Sequence, residues 1–431
     1  MKRHSVVTLA GHVLIPALLL ALMPETVHAA EETGIDTGNT AWILVSTALV
    51  MLMTPGLAFF YSGMVRKKNF LGTMMQSFFM LCLISIQWVL WGYTLSFGAD
   101  ISGFIGGLNY LGLSGVGPEP NGTIPHLLFM MFQGMFAVIT VALITGAFAE
   151  RMKFSAFVVF AIIWTTLVYD PVCHWVWGGG WLGNDGALDF AGGTVVHISS
   201  GISALVAAVV IGKRRGYPGE SMPPHNLGLT LLGTGLLWFG WFGFNGGSAL
   251  ASDGLAALAF VTTNTAAAAA ALTWVFIEWA LRGKPTALGA ASGAVAGLVA
   301  ITPGAGFVGV MSSILIGIGG GAFCFLAVEY LKPLLGYDDS LDVFGIHGVG
   351  GIWGALATGL FASVGAEGVF FGNPGQMIPQ IKGVVATIVL AAVVTFVLLK
   401  VLDAVMGLRV TVEEESMGLD LSQHGESGYN F

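Results

Sequence analysis

Beyond residue 39 the chain reads as long apolar runs separated by short polar connectors, and the run recurs eleven times. The runs lie near 40–64, 70–96, 125–149, 154–172, 192–212, 227–248, 254–281, 286–302, 306–331, 342–364 and 379–406. Each has the length at which an apolar helix crosses the ~30 Å hydrocarbon of a bilayer. The pattern predicts an all-α integral membrane protein of eleven transmembrane helices. Lysine and arginine then orient it. Arg66-Lys67-Lys68, Arg151 with Lys153, Lys213-Arg214-Arg215, Arg282 with Lys284, and Lys332 fall in every second connector. The intervening connectors (98–124, 173–191, 249–253, 303–305, 365–378) carry none. Positive charge collects on the cytoplasmic side, so the mature N-terminus is expected outside and the C-terminus inside.

Two flanking segments break the pattern. Met1-Lys2-Arg3-His4 is basic, Val13 to Leu22 is apolar but too short to span, Pro24 ends it, and Val27-His28-Ala29 offers small residues for cleavage. Residues 1–29 read as a secretory signal, leaving a transmembrane domain over 30–406 in the cell's inner (plasma) membrane. From Gly407 to Phe431 the chain turns polar, through Glu413-Glu414-Glu415. Composition reads this tail as solvated, with a cytoplasmic docking segment as the alternative.

The spans carry few ionisable groups, which makes two histidines conspicuous. His197 lies in the fifth run and His347 in the tenth, and both stretches read His-x-x-x-Gly-Ile followed by small residues. An ionisable group in hydrocarbon is costly and faces a cavity or a partner. Runs 1–5 and 6–10 divide the chain into halves of five, an odd number that turns the second half upside down. The expected plan is a 5+5 inverted repeat plus a final helix, with a site at the midplane between repeats. A histidine pair that only ties two helices together is the plainer reading.

Composition closes off other classes. The 431 residues are 55% hydrophobic and 9% charged, against about a quarter charged in soluble chains. The 63 glycines suit close helix packing in lipid. With basic residues confined to connectors, nucleic acid is not expected as a partner. Cys82, Cys173 and Cys324 are isolated, without metal spacing, and read as buried, inert and unpaired thiols. No phosphate loop, nucleophile elbow or His-Glu-x-x-His motif is present, so neither an enzyme nor a cofactor is expected.

Aromatic residues gather toward the outer side. Phe132-Gln133-Gly-Met-Phe136 begins the third run, Trp177 follows the fourth, and Trp238-Phe-Gly-Trp241-Phe-Gly-Phe244-Asn245-Gly-Gly-Ser248 ends the sixth. Aromatic faces attract cations, tryptophan best. A serine hydroxyl accepts a hydrogen bond from a cation with protons to donate. An interfacial aromatic belt reads equally well from the pattern. Phe132 and Phe136, one turn apart, are also ordinary packing neighbours, and Asp189 before the fifth run is also an N-cap.

Taken together these motifs resemble the ammonium transporter family of the Amt/Mep/Rh group, its bacterial Amt branch in particular. The carriers are Phe132–Phe136, Gly146-Ala-Phe-Ala-Glu150-Arg151, Trp177-Gly-Gly-Gly180, Asp189 to His197, Gly240 to Ser248, Asp342-Val-Phe-Gly-Ile-His347-Gly, and Gly418-Leu-Asp in the tail. The resemblance implies an outer ammonium-recruitment site of Phe132, Phe136, Trp177 and Ser248. It implies a gate of Phe136 and Phe244, and a hydrophobic pore with His197, His347 and Trp241. Asp189 is implied as a supporting acidic residue. A homotrimer with one pore per subunit is also implied, and a tail that docks a PII-type signal-transduction protein. The function implied is conduction of ammonia, with or without a proton, after ammonium loses its charge. Other readings are an ammonium sensor signalling through the tail, a pore for another small neutral gas, and a bis-histidine haem protein.

Overall fold

The computed structural model describes residues 34–429; the signal expected over 1–29 lies outside them. Eleven apolar helices run through the described chain. We number them α1 (Thr37–Met64), α2 (Lys67–Phe97), α3 (His126–Phe148), α4 (Phe154–Asn184), α5 (Gly193–Ile211), α6 (Leu227–Gly247), α7 (Gly254–Arg282), α8 (Ala287–Ile301), α9 (Val310–Leu335), α10 (Phe344–Phe361) and α11 (Pro374–Met406). Ten are of full spanning length, and α8 has only 15 residues. The eighth run, read as 286–302, exceeds α8 by one residue at each end, so it is the helix itself that is shorter than the others. The connector between α2 and α3 adds two minimal antiparallel hairpins, Asp100–Ile101 with Ile105–Gly106 and Pro120–Asn121 with Ile124–Pro125.

The helices pack through small residues. A Cβ on Gly233 would lie 2.3 Å from the Phe60 nitrogen, which places α6 against α1. A Cβ on Gly317 would lie 2.4 Å from the Ala266 carbonyl, which places α9 against α7. Where apolar solvent surrounds the bundle, close backbone approach replaces the hydrophobic drive as the source of cohesion. The outward faces stay apolar, with Phe239, Phe276, Met311 and Val405 exposed. Cys82 is also exposed, contrary to the expectation that all three thiols are buried; it stands on the outward stripe of α2, where lipid in place of protein is its neighbour.

The basic connectors share one face, and there they form a buried ionic lattice. Arg151 is fully buried and spends its guanidinium on the carbonyls of Gly212, Ala149, Ala147 and Asp338 and on the Ser340 hydroxyl. Burial lowers its pKa to about 10, which still leaves it charged at neutral pH. Glu150, next to it, takes Arg66 through its backbone N–H and its guanidinium. Arg214 pairs with Asp338 at 2.8 Å. Burial pushes the Asp338 carboxyl up, yet the Arg214 guanidinium outweighs it and holds the pKa below the usual carboxylate range.

The tail is folded onto this lattice, where composition favoured a solvated segment. Two short helices, α12 (Val412–Met417) and α13 (Leu419–His424), follow a capping box at Thr411 and Glu414. Buried Glu415 accepts from the Arg215 backbone N–H at 2.7 Å and from Arg409 at 2.8 Å. Lys68 donates to the carbonyls of Glu415 and Ser416. Asp420 accepts from Gly72, and Asn69 accepts from Leu419. The polar residues that made the tail look solvated are the ones that bond it to the start of α2 and to the connector after α5. Removing the Glu415 carboxylate should cost about 2 kcal/mol of docking, the scale of a charge-assisted bond. Glu415→Ala is therefore expected to speed amide exchange across 412–424 by roughly tenfold or more, leaving α5 and α10 unchanged.

Candidate functional site

The two histidines meet because their helices touch backbone to backbone. A Cβ on Gly201 of α5 would lie 2.1 Å from the Gly348 nitrogen of α10, and one on Gly351 would lie 3.0 Å from the His197 Cβ. Both histidines also sit in wide π-helical turns, Gly193–Ile198 and Phe344–Gly348. Such turns recur at functional sites because they re-aim a side chain that a regular helix would turn away. The result is a hydrogen bond between His197 Nδ1 and His347 Nδ1 at 3.2 Å, with the rings tilted 25° and their centroids 5.3 Å apart.

Each π turn is held by an aspartate eight residues before its histidine. Asp189 caps α5: Oδ1 accepts from the Gly192 and Gly193 amides, and Oδ2 from the Thr194 and Val195 amides and the Thr194 hydroxyl. Its own carbonyl accepts the indole N–H of Trp177 at 2.9 Å. Asp189 thus positions both the histidine helix and the tryptophan, and its carboxylate is fully engaged with the helix end. Asp339 does the corresponding work at α10, where Oδ2 accepts from the Phe344 amide at 2.7 Å while Oδ1 is buried without a partner. Burial raises the Asp339 pKa to about 6, the Lys332 ammonium opposing and the Asp342 carboxylate adding to the rise.

Above the histidines the aromatic residues form a continuous column. His197 lies against Trp241 at 5.5 Å and Phe244 at 6.2 Å. Phe244 meets Phe136 at 4.3 Å, with the rings tilted 36°. Phe136 in turn meets Trp177 edge-on at 5.8 Å. Beyond that closed ring pair lies a cavity of about 310 Å³, open to the face opposite the basic connectors and lined by Phe136, Trp177, Ser248 and Gln133 among others. Ser248 donates to the Phe244 carbonyl at 2.8 Å, which leaves its oxygen as an acceptor. Phe132 does not line this cavity. It is fully buried and supports Phe136 from behind, ring edge to ring face at 5.0 Å.

Below the ring pair a second chamber holds both histidines, with Trp241, Phe244, Leu143, Val196 and Leu237 among its walls. The volume open to the centre of a water-sized sphere is about 10 Å³, against ~10–15 Å³ for one water. Only a molecule about as small as water fits. Apart from the imidazoles the walls are apolar, so a charge inside would lose its hydration with nothing to replace it. The arrangement can gather a hydrogen-bonding cation in the outer cavity and pass a small uncharged molecule through the chamber.

Two further residues belong here. Gln133 lines the outer cavity and its Oε1 is buried without a partner, an acceptor like that of Ser248. Its place between Phe132 and Phe136 was the sole signal for it. Thr302, just past α8, holds the Trp241 indole N–H at 3.0 Å and lies 3.4 Å from His197 Nε2. A threonine in an apolar turn gives no sequence signal at all. Among the described residues, no cluster of three or more histidine, cysteine or acidic side chains is placed to hold a metal ion.

Residues 41–429 match the model of the Ammonium Transporter Family. The chain is 57% identical over 400 residues to an ammonium transporter of Bacillus subtilis, covering 91% of this chain and 98% of that one. It is 54% identical over 396 residues to the ammonium transporter Amt1 of Archaeoglobus fulgidus, covering 91% and 99%. Among solved structures it resembles Saccharomyces cerevisiae Mep2, with a TM-score of 0.84, 40% identity and 89% of each chain covered. It also resembles a protein described as a sensor Amt protein, with a TM-score of 0.85, 31% identity, and 90% of this chain and 98% of that one covered.

The two aspartates should respond differently to neutralisation. Asp189→Asn keeps one acceptor oxygen and turns an NH₂ toward backbone N–H groups, so it should cost about 2 kcal/mol or more and loosen Trp177. A lowered melting temperature with reduced ammonium uptake checks this. A carboxyl that keeps its proton to about pH 6 when folded, against ~3.9 unfolded, binds more protons in the folded state between those values. Stability therefore falls as pH rises from about 4 to about 6 and stays lower above. Asp339→Asn should flatten that limb in melts across pH 4–7. Asp420, which burial also raises, titrates in the same direction in both proteins and cancels in the comparison.

Proposed function

The chain belongs to the ammonium transporter family, a multi-pass membrane protein that moves ammonium or ammonia, and from that premise we propose how its residues do so. Ammonium is collected in the outer cavity by Trp177 and Phe136 through their π faces and by Ser248 through its hydroxyl oxygen, with Phe132 holding Phe136 in place. It loses a proton at the Phe136–Phe244 gate, and ammonia continues past Trp241, His197 and His347. The proton either stays behind or follows through the imidazoles, whose ring nitrogens can both give and take one.

The observation that carries this reading is the chamber that accepts one small molecule and offers hydrogen bonds only at its imidazoles. Potassium resembles ammonium in size and charge, so width alone does not separate them. Potassium has no proton to give up and meets the full cost of a charge in a dry apolar passage. Ammonium avoids that cost by changing into ammonia. Selectivity then comes from chemistry at the gate instead of from a size filter.

In this proposal the aromatic face is outside and the basic face cytoplasmic, in the inner membrane, after removal of the signal over 1–29. The active form is a homotrimer, and a PII-type signal-transduction protein binds at the cytoplasmic face beside the docked tail. A second reading, in which the chain senses ammonium and signals through the tail, draws on the likeness to the sensor Amt protein and on the folded tail. Deleting residues 407–431 separates the two, because a transporter without its tail still moves substrate and a sensor loses its output.

The direct test is current in proteoliposomes after an ammonium jump, beside an equal potassium jump, with His197→Ala and His347→Ala in parallel. We expect ammonium-dependent transport without a potassium response. Current that drops about tenfold or more in the variants means the charge crosses through the pair. Internal alkalinisation without current means ammonia crosses alone. Neither signal would leave the sensor.

A further inference from the structure

We infer that Thr302 sets the tautomers of the histidine pair, placing the proton of His197 on Nε2 and that of His347 on Nδ1. Nε2 of His347 is then the one imidazole lone pair in the pore with nothing bonded to it. The consequence for transport rests on the function proposed above; the proton assignment rests on hydrogen-bond geometry alone.

A threonine hydroxyl has one proton to give and two lone pairs to receive. Thr302 Oγ1 stands 2.8 Å from the Leu298 carbonyl oxygen, one turn back, and a carbonyl can only accept. The Trp241 indole nitrogen stands 3.0 Å away and can only donate. One lone pair is taken by the indole. The proton goes to Leu298, since 2.8 Å is an ordinary O–H···O length while the 3.4 Å to His197 Nε2 is long. A single lone pair remains, and it faces His197 Nε2. That nitrogen is favoured as N–H. With the proton on the other ring nitrogen, two lone pairs would confront each other across the gap.

The rest follows from the pair itself. A neutral imidazole with its proton on Nε2 has a bare Nδ1, so His197 Nδ1 is the acceptor in the 3.2 Å contact and His347 Nδ1 the donor. His347 Nε2 is then bare, and among the described residues no hydrogen-bond partner faces it. The histidine stacked beneath the gate rings has both nitrogens committed. The one beyond it has the open site. Ammonia arriving in the chamber donates an N–H to His347 Nε2, and a proton entering the pair binds there first, making that ring imidazolium. Thr302 is a positioning residue: it touches His197 and acts on His347 through it.

The test is solid-state nitrogen NMR on the full chain, labelled with ¹⁵N-histidine, in lipid bilayers near neutral pH. Protonated and bare ring nitrogens separate in the spectrum, and the pair's signals are those that disappear in His197→Ala and His347→Ala. We expect the Nε2–H form of His197 to exceed its alternative by about threefold to tenfold, the ratio one net hydrogen bond supplies. Thr302→Val should bring the two forms toward equal populations, and Thr302→Ser should restore the preference. Wild-type His197 found mainly as Nδ1–H would overturn the assignment, with no variant needed. A folded Thr302→Val protein with the wild-type ratio would overturn the role of Thr302. The expected ratios in a protein that moves no ammonium would support the assignment while removing the transport reading.

Discussion

Everything at the centre of this molecule depends on a single close crossing, where Gly201 of α5 meets the backbone of Gly348 of α10. Any side chain there would separate the helices and break the 3.2 Å bond between the two imidazoles. The crossing is demanding because each helix also widens into a π turn at its histidine, giving up regular hydrogen bonds inside the bundle. Such a turn persists only where its surroundings hold it. Asp189 and Asp339 do so by accepting the free amides at the helix starts. The outer aromatic column depends on the same crossing, since Trp241 and Phe244 stack on His197 and Phe136 stacks on Phe244.

The two ends of the passage use opposite physics. At the aromatic face the interactions with a cation are π faces and lone pairs, each weak in water and stronger as the cation sheds its shell. At the histidines the space is too small and too apolar for a hydrated charge. The ring pair between them marks where charge ceases to be tolerable. At the basic face the chain again becomes ionic, with Glu150, Arg66, Arg214, Asp338 and Arg151 locked together under the tail. That lattice satisfies its own charges almost completely, so it works as a rigid floor for the connectors on which α3, α5 and α9 end.

Much of this was legible in the sequence, for reasons that also explain the gaps. Eleven apolar runs gave eleven helices because lipid-exposed helices must be apolar over a fixed length. Their ends were less legible: the ninth run was read from residue 306, yet α9 begins at Val310, because the preceding turn is apolar and buried. His197 and His347 stood out because an ionisable group is rare in such a setting. Phe132, Phe136, Trp177, Phe244, Ser248 and Trp241 were marked by resemblance, and the structure gathers them into one column while moving Phe132 behind it. Thr302 was invisible, since a hydroxyl in an apolar turn changes hydropathy little and its partners are some 60 and 105 residues away in the chain. The tail was misjudged because its partners are the basic connectors. Composition counts its charges without knowing that the Arg215 amide meets the Glu415 carboxylate and that Lys68 meets the tail's carbonyls.

An inverted repeat need not be symmetric in what it does, and the two aspartates show where this one departs. Each stands eight residues before its histidine and each holds the start of that histidine's helix. Asp189 has five donors for its two oxygens, so its carboxylate is tied to the helix start. Asp339 uses one oxygen and leaves the other buried and unbonded, with Lys332 and Asp342 as its charged neighbours. The half with the saturated cap carries the histidine stacked under the gate rings. The half with the unsaturated cap carries the histidine whose Nε2 has no partner. Incomplete satisfaction thus falls twice on the same half, the one whose cap lies at the basic face. A proton passing from His197 to His347 would leave a ring whose two nitrogens are both committed and reach one with a free lone pair. The two frames are alike in plan and differ in the hydrogen bonds made at the cap and at the histidine.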